Sequence, residues 1–560
     1  MDKGFIKAIS IGLSLATAVV TPAVSQGLAG PYLAASQAFD AGSFDTAASY
    51  YVKAMIADPE NALLKRRALV SFLTAGDFSS AAGIATVMQS GEEQDIFVDL
   101  VLLTDLASRG KFEEARALLP ETDEQLSPML WGLLNAWSTV GAGDKEGGLE
   151  AFDDITENST IALMGQYHKG LAYAYLGDFE AAAEIFNGDE NGPLHLNRDS
   201  IVVHVEVLSE LGEQGTALQV LDDSIARGFN DAQLLTLREE VAGGKVFSFT
   251  QVKSPAYGMA EAFVTMAEAL SRGEPDRTAL FYARLAQQLR PELADATMVV
   301  ASILELEGQH RLASEAYARV PESSSLFVDA QIGRAEALRE GGDTESATDV
   351  LLELADQFPE DVLVLNALGD IYRGVENFED AAAAYSRAID NVNVFEPRHW
   401  VLFYTRGISL ERLKDWPAAE ADFFRALELS PDQPFVLNYL GYSYIEMGIK
   451  FEEALDMIET AVEGMPANGY ITDSLGWVLY RLGKFEEAVA PMVRAVELLP
   501  VDPIVNDHLG DVFWMVGRKL EAQFQWRRAI SFDPTEVDLE RIKRKLEVGL
   551  DVVLEEEKSE

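Results

Sequence analysis

Over most of its length the chain sets apolar residues three and four positions apart, the spacing of one helical face, and breaks that spacing repeatedly with short turns. Leu437, Leu440 and Tyr444 share such a face. Leu482-Gly483-Lys484-Phe485 reads as a turn that ends one helix and opens the next, since glycine takes the left-handed conformation at little cost. The following helix runs to Pro500, which cannot continue it. The pattern predicts helix–turn–helix pairs. Ala and Leu recur and β-branched runs are few, so the expected fold class is all-α.

The pairs repeat in register. Leu368-Gly369 is followed by Tyr372, Ala381, Tyr385 and Ala388, and the next unit has Gly407, Ala419, Phe423, Ala426 and Pro431. Leu440-Gly441, Tyr444, Ala454, Ile458, Ala461 and Pro466 come next, then Leu475-Gly476, Leu479, Ala488, Met492, Ala495 and Pro500. The last unit shows Leu509-Gly510, Phe513, Ala522, Trp526, Ala529 and Pro534. From glycine to glycine the steps are 38, 34, 35 and 34 residues. Each glycine is expected where the second helix crosses closely, each first alanine at the contact, and the unit at Gly441 carries one extra residue in its turn. A pair alone leaves an apolar flank that only a neighbouring pair covers, so the units must stack.

These residues resemble the tetratricopeptide repeat, whose L-G-x-x-Y, A-x-x-x-F/Y and terminal proline positions they match in order. The resemblance implies a right-handed superhelical solenoid of helix-turn-helix repeats. Arg406 departs from it where leucine is usual. Steps of 34 back from Gly369 land on Ala335, Ala301 and Ala267, each paired twelve residues on with Ala347, Ala313 and Ala279, which extends the array N-terminally. Fainter units, such as Ala35 with Ala47, Tyr51, Ala54 and Pro59, and Gly170 with Tyr173, Ala182 and Phe186, fill the first part.

The expected organisation is a signal peptide over 1–25, a degenerate array of about six repeats over 26–231, an irregular junction over 232–259, and about eight repeats over 260–536. A capping helix and acidic tail occupy 537–560. The junction carries Gly243-Gly244 and a β-leaning Val246-Phe247-Ser248-Phe249; it reads either as a boundary between two arrays or as an irregular connection inside one solenoid.

Charge then narrows the partners. A formal net charge of −48 repels nucleic-acid phosphates and anionic lipid headgroups, leaving protein surfaces as the expected partners. Lys3 and Lys7, the small apolar run from Ala8 to Val20 and the Ala23-Val24-Ser25 site read as a signal peptide with Gln26 as first mature residue. The expected location is the periplasm, with no direct membrane insertion after cleavage. The chain has no cysteine, which removes disulfides, thiolate metal sites and a lipoprotein anchor.

No catalytic constellation emerges, so the chain is expected not to be an enzyme, and to need no cofactor or metal. The histidines at 168, 195, 204, 310, 399 and 508 have no metal-ligand spacing and are expected at turns or on the surface. Asn187, Asp189, Asn191 and Gly192 imitate half a calcium loop, but Arg198 stands where its closing acid belongs. Gly141-Ala142-Gly143 with Gly147-Gly148 lacks the preceding strand of a nucleotide loop and reads as a helix–helix turn.

In the family, first helices line the concave face. Their residues at i, i+4 and i+7 are the candidate partner-binding positions: Asn366, Asp370 and Arg373; Tyr404, Ile408 and Glu411; Asn438, Tyr442 and Ile445. Asp473, Trp477 and Tyr480, then Asp507, Asp511 and Trp514, complete the set. An aromatic floor beside carboxylates suits extended segments with apolar and basic side chains, although Trp477 and Trp514 also fit as packing between repeats. Between Val516 and Lys545 eight basic residues face five acidic ones. They pair across the capping helix or form a docking patch, including one for a homodimer.

The later repeats are similar to those of Gram-negative envelope proteins, including adaptors of carboxyl-terminal processing proteases. That likeness implies a non-catalytic scaffold or adaptor. The alternatives are a component of a secretion or polysaccharide-export complex and, less in keeping with the residues, an envelope enzyme.

Overall fold

The computed structural model describes residues 27–89, 95–120, 126–156, 161–188, 192–229, 232–271 and 276–558. The signal segment 1–25, and Asp189 and Asn191 of the calcium-like loop, lie outside the described residues. Helices and turns make up the described residues, with no β-strand among them. The chain forms two compact units, Met1–Gly333 and Arg334–Glu560.

In the first unit the helices are α1 (Ala29–Asp40), α2 (Phe44–Ala57), α3 (Ala62–Ala75), α4 (Phe78–Met88), α5 (Ile96–Ser108), α6 (Phe112–Arg116), α7 (Pro128–Gly141), α8 (Lys145–Thr156) and α9 (Ala162–Leu176). They continue with α10 (Phe179–Asn187), α11 (Arg198–Glu210), α12 (Gln214–Ala226), α13 (Ala232–Ala242), α14 (Pro255–Ser271), α15 (Arg277–Leu289), α16 (Ala294–Leu306) and α17 (His310–Tyr317). Consecutive helices up to α12 pair as hairpins, odd with even, and α14 with α15 and α16 with α17 do the same.

Local chemistry sets their ends. Asn61 accepts from the Leu64 N–H at 3.2 Å to open α3, and Gly76, at φ +92°, closes it. The glycine turn around residue 143 joins α7 to α8, as a helix–helix turn.

The first unit departs from a simple row of neighbours, because α14 and α15 lie against the early inner helices. A Cβ at Gly258 would stand 2.2 Å from the Trp137 ring, so only glycine lets α14 approach α7 this closely. Phe281 meets Phe97 edge-on at 4.8 Å, and Arg284 Nε donates to the Thr74 carbonyl at 3.3 Å. Arg277 and Gln309 reach the Asp40 and Ala41 carbonyls, both at 3.1 Å. One buried apolar cluster therefore runs from Leu69 to Ala296.

The 232–259 segment is thus a return inside the first unit, and the division between compact units falls at Gly333/Arg334. Its β-leaning residues form no strand. They run irregularly over Glu206 and Glu210, which accept from the Thr250 and Phe249 N–H groups at 3.0 Å.

The second unit begins within α18 (Phe327–Glu340) and continues with α19 (Thr344–Gln357), α20 (Val362–Gly374), α21 (Phe378–Asp390), α22 (Trp400–Arg412), α23 (Trp416–Leu429), α24 (Pro434–Glu446) and α25 (Phe451–Gly464). Next come α26 (Gly469–Arg481), α27 (Phe485–Leu498), α28 (Pro503–Met515), α29 (Lys519–Ser531), α30 (Glu536–Val548) and α31 (Leu550–Glu557). From α20 to α29 these are five hairpins.

The register glycines do what their spacing predicts. A Cβ at Gly369, Gly407, Gly476 or Gly510 would come within 2.4–2.7 Å of Tyr385, Phe423, Met492 or Trp526, each sixteen residues on. For Gly441 the partner is Ile458, seventeen residues on, at 2.9 Å. The extra residue sits in that turn, where Lys450 takes φ +50°.

Candidate binding groove

In the second unit α20, α22, α24, α26 and α28 are the inner helices, and three residues before each register glycine they place Asn366, Tyr404, Asn438, Asp473 and Asp507. At the N-terminal end Asp370 gathers three donors. Asn366 Nδ2 reaches it at 3.0 Å, Arg373 at 3.1 Å and the Tyr385 hydroxyl at 2.8 Å. Arg373 also donates to Tyr385 at 3.2 Å, so this acid is ion-paired and fixed in place.

Tyr404 lies among Trp400, Tyr439 and Phe423, with ring centroids 5.5, 6.0 and 6.3 Å away. Ile408 is half-buried beside this cluster. Glu411 accepts from the Tyr439 hydroxyl at 3.3 Å, and burial with that carboxylate pushes the phenol up to about 12. Burial likewise raises the pKa of Tyr442, which stays partly exposed on α24. These phenols remain neutral donors. Asn366 and Asn438 each keep a buried Oδ1 with no hydrogen-bond partner. Ile445 is fully buried in the core and does not line the groove.

The α26 positions are largely consumed by packing. Asp473 is buried and meets His508 Nδ1 at 2.9 Å. Burial, the largest single influence, would lower the His508 pKa, but the carboxylates of Asp473, Asp507 and Asp511 together outweigh it and the net shift is upward. Trp477 stacks on Tyr480 at 4.8 Å and on His508 at 4.0 Å, while its Nε1 donates to Glu446 at 3.1 Å. Arg481 shares Glu446 at 3.3 Å. Tyr480 is buried, near Arg541 and Glu557.

At α28 the expectation of a free acidic groove is corrected. The fully buried Lys545 Nζ of α30 contacts both oxygens of Asp507, at 2.9 and 2.7 Å, and both of Asp511, at 2.7 and 2.8 Å. Asp511 also accepts from Trp526 Nε1 at 2.9 Å. Burial and its neighbour Asp511 push the Asp507 carboxyl up against the pull of Lys545. Trp514 is taken as well: its Nε1 donates to Asp551 of α31 at 3.0 Å and its ring adjoins Gly549. Asp507, Asp511 and Trp514 therefore bind the cap. Two carboxylates one helical turn apart on an otherwise closed face are the signal for a buried cation, and Lys545, seated between Ile542 and Leu546, is the residue the sequence reading missed.

Within the cap Arg541 pairs with Glu557 at 2.7 Å, Arg544 with Glu556 at 2.6 Å and Lys543 with Glu540 at 2.8 Å, and Arg541 also lies 3.6 and 3.7 Å from Asp507 and Asp511. A second correction concerns the histidines, since His168, His204 and His508 are buried. His168 Nδ1 accepts from Trp137 Nε1, and His204 Nδ1 faces His195 Nε2 at 3.1 Å. No group of three or more His, Asp or Glu side chains suited to a metal occurs among the described residues.

Residues 329–361 and 366–434 each match tetratricopeptide-repeat profiles. With the helical pairs and register contacts described above, these residues form tetratricopeptide repeats. A TPR repeat-containing protein of Pseudomonas aeruginosa is 27% identical over 172 residues, which cover 31% of this chain and 28% of that one. The match thus spans well under two thirds of that relative. Among solved structures, the Cut9–Hcn1 hetero-tetramer aligns at 13% identity over 92% of this chain and 96% of that one, with a TM-score of 0.39. Yeast Tom70 aligns at 13% identity over 95% and 99%, with a TM-score of 0.36. YrrB, described as a TPR protein with an unusual peptide-binding site, aligns at 18% over 35% and 97%, at 0.28.

Proposed function

We propose that the protein is a non-catalytic scaffold or adaptor of the bacterial envelope, and that it binds an extended partner polypeptide on α20, α22 and α24, up to the edge of α26. The observation that carries this reading is which inner faces remain open. In the first unit α14 and α15 cover the early inner helices, and in the second unit α30 and α31 cover α28. Between Asn366 and Trp477 the face keeps half-buried aromatic and amide groups, Tyr404, Asn438 and Tyr442, beside Asp370, Glu411 and Glu446. Such a floor offers desolvated apolar contact and hydrogen bonds, with carboxylates to receive basic side chains.

Export with cleavage near Ser25/Gln26 to the periplasm, without lipid attachment, completes the proposal and rests on the N-terminal sequence. A component of a secretion or polysaccharide-export complex is the alternative setting for the same groove. A photo-crosslinking residue at position 442, with a second at the exposed outer position 490 as control, tests the reading in cells. The groove position should capture a discrete polypeptide that the control does not, and Tyr404→Ala with Glu446→Lys should abolish the capture. Equal capture at both positions, or capture indifferent to both substitutions, refutes it. N-terminal sequencing of the exported protein should begin near Gln26.

A further inference from the structure

The last outer helix breaks its own repeat pattern. Two residues before the contact alanine, the four preceding repeats carry Glu379, Pro417, Glu452 and Glu486; the last carries Leu520. Two residues after it they carry Ala383, Ala421, Asp456 and Ala490; the last carries Phe524. Both substitutions put large apolar side chains into water: Leu520 is 84% exposed and Phe524 59%. They border a hollow of about 640 Å³ between α27 and α29, whose floor includes Val493, Val496 and Phe513. A terminal repeat ordinarily turns a polar face outward, so an apolar pair confined to this helix asks for a cover.

The charges beside the pair say what covers it. Along the same outward stripe, Glu521 lies three residues before Phe524 and Arg527 three residues after. Arg527 is exposed and makes no ion pair with the described residues, while Glu521 is held only by its exposed neighbour Arg518. Arg528 is anchored by its donation to the Pro500 carbonyl at 2.8 Å, leaving its stem along the stripe. A stripe with an acid on one side of its centre and a base on the other is complementary to itself when reversed.

We propose that a second copy of this chain packs antiparallel on α29 about a two-fold axis through Phe524. Phe524 then meets its own counterpart, Leu520 lies on the Arg528 stem of the partner, and Glu521 pairs with the partner's Arg527 on both sides of the axis. The contact is isologous and closes at two copies. It rests on the outer face of the second unit and leaves the inner groove free, so it stands or falls apart from the function proposed above.

Sedimentation of the full-length mature protein across a concentration series tests this. The wild type should show a reversible monomer–dimer equilibrium. Leu520→Glu with Phe524→Ala restores residues that preceding repeats carry, so circular dichroism should be unchanged while dimer affinity falls on the order of tenfold or more. Arg527→Glu alone should weaken the dimer by a similar factor, and Glu521→Arg combined with Arg527→Glu should restore it. A wild type that stays monomeric throughout overturns the proposal, including one that instead floats with anionic vesicles through Leu520. So does a dimer indifferent to the double substitution, or one that the charge exchange fails to rescue.

Discussion

At the scale of single residues, the second unit depends most sharply on Lys545. An ammonium buried between two carboxylates is tolerable because four contacts of 2.7–2.9 Å replace its water. Lys545→Ala would leave Asp507 and Asp511 buried, one turn apart and like-charged, with Arg541 at 3.6 and 3.7 Å as their remaining cation. The expected loss is about 3–5 kcal/mol of second-unit stability, read from urea melts. Asp511→Asn keeps the shape, removes the repulsion and should recover part of it when added to Lys545→Ala. The glycine contacts offer a second test. Gly510→Ala would drive a methyl to 2.4 Å from Trp526, and should cost about 1–3 kcal/mol through overpacking. Both losses would show as lower urea midpoints at constant slope.

At the scale of elements, the buried histidines tie α9, α11 and α28 to pH with opposite signs. Burial lowers the pKa of His168 and of His204 to about 3, and burial with Arg227 lowers that of His195 to about 4. These imidazoles are neutral in the fold and have an ordinary value near 6.5 when unfolded, so their contribution is present above about pH 6.5 and lost as pH falls toward the folded values. The expected slope for the two most buried is about 1.4 kcal/mol per pH unit each. His508 runs the other way: its raised pKa gives stability below about pH 6.5 that is lost as pH rises through the folded value. Melts of the whole protein at pH 7 and pH 5.5, resolved by hydrogen exchange, should therefore show protection falling in α9 and α11 while α28 holds or gains. Substituting His168→Gln and His204→Gln should flatten the first response. The sequence made the helical pairs readable, because glycine and alanine at fixed spacing record the close crossing of two helices directly. It concealed the fates of Asp507, Asp511 and His168, because a polar residue on an inner helix looks alike whether a ligand, a cap or a distant helix covers it.

At the scale of the whole chain, the same blindness applies to α14 and α15. Repeat register encodes contacts between neighbours in sequence, and Gly258 against Trp137 or Phe281 against Phe97 are contacts across well over one hundred residues. The composition shift over 232–259 therefore resembled a boundary, although the apolar cluster passes through it from Leu69 to Ala296. If α14 and α15 are core, the first unit cannot be shortened to its six early hairpins. A chain cut to 27–231 would expose the faces of Trp137, Phe97 and Thr74 that those helices cover. It should bind a hydrophobic dye, keep much of its helix signal and lose a cooperative transition, as collapsed chains without fixed packing do. A chain cut to 27–340 retains α14 to α18 and should melt in a single sharp step. Gly258→Leu in that longer piece should push α14 off Trp137 and reproduce the behaviour of the short one. The opposite result, a 27–231 piece that melts as cooperatively as 27–340, would make α14 and α15 a removable occupant of the first unit and free its inner face for a partner.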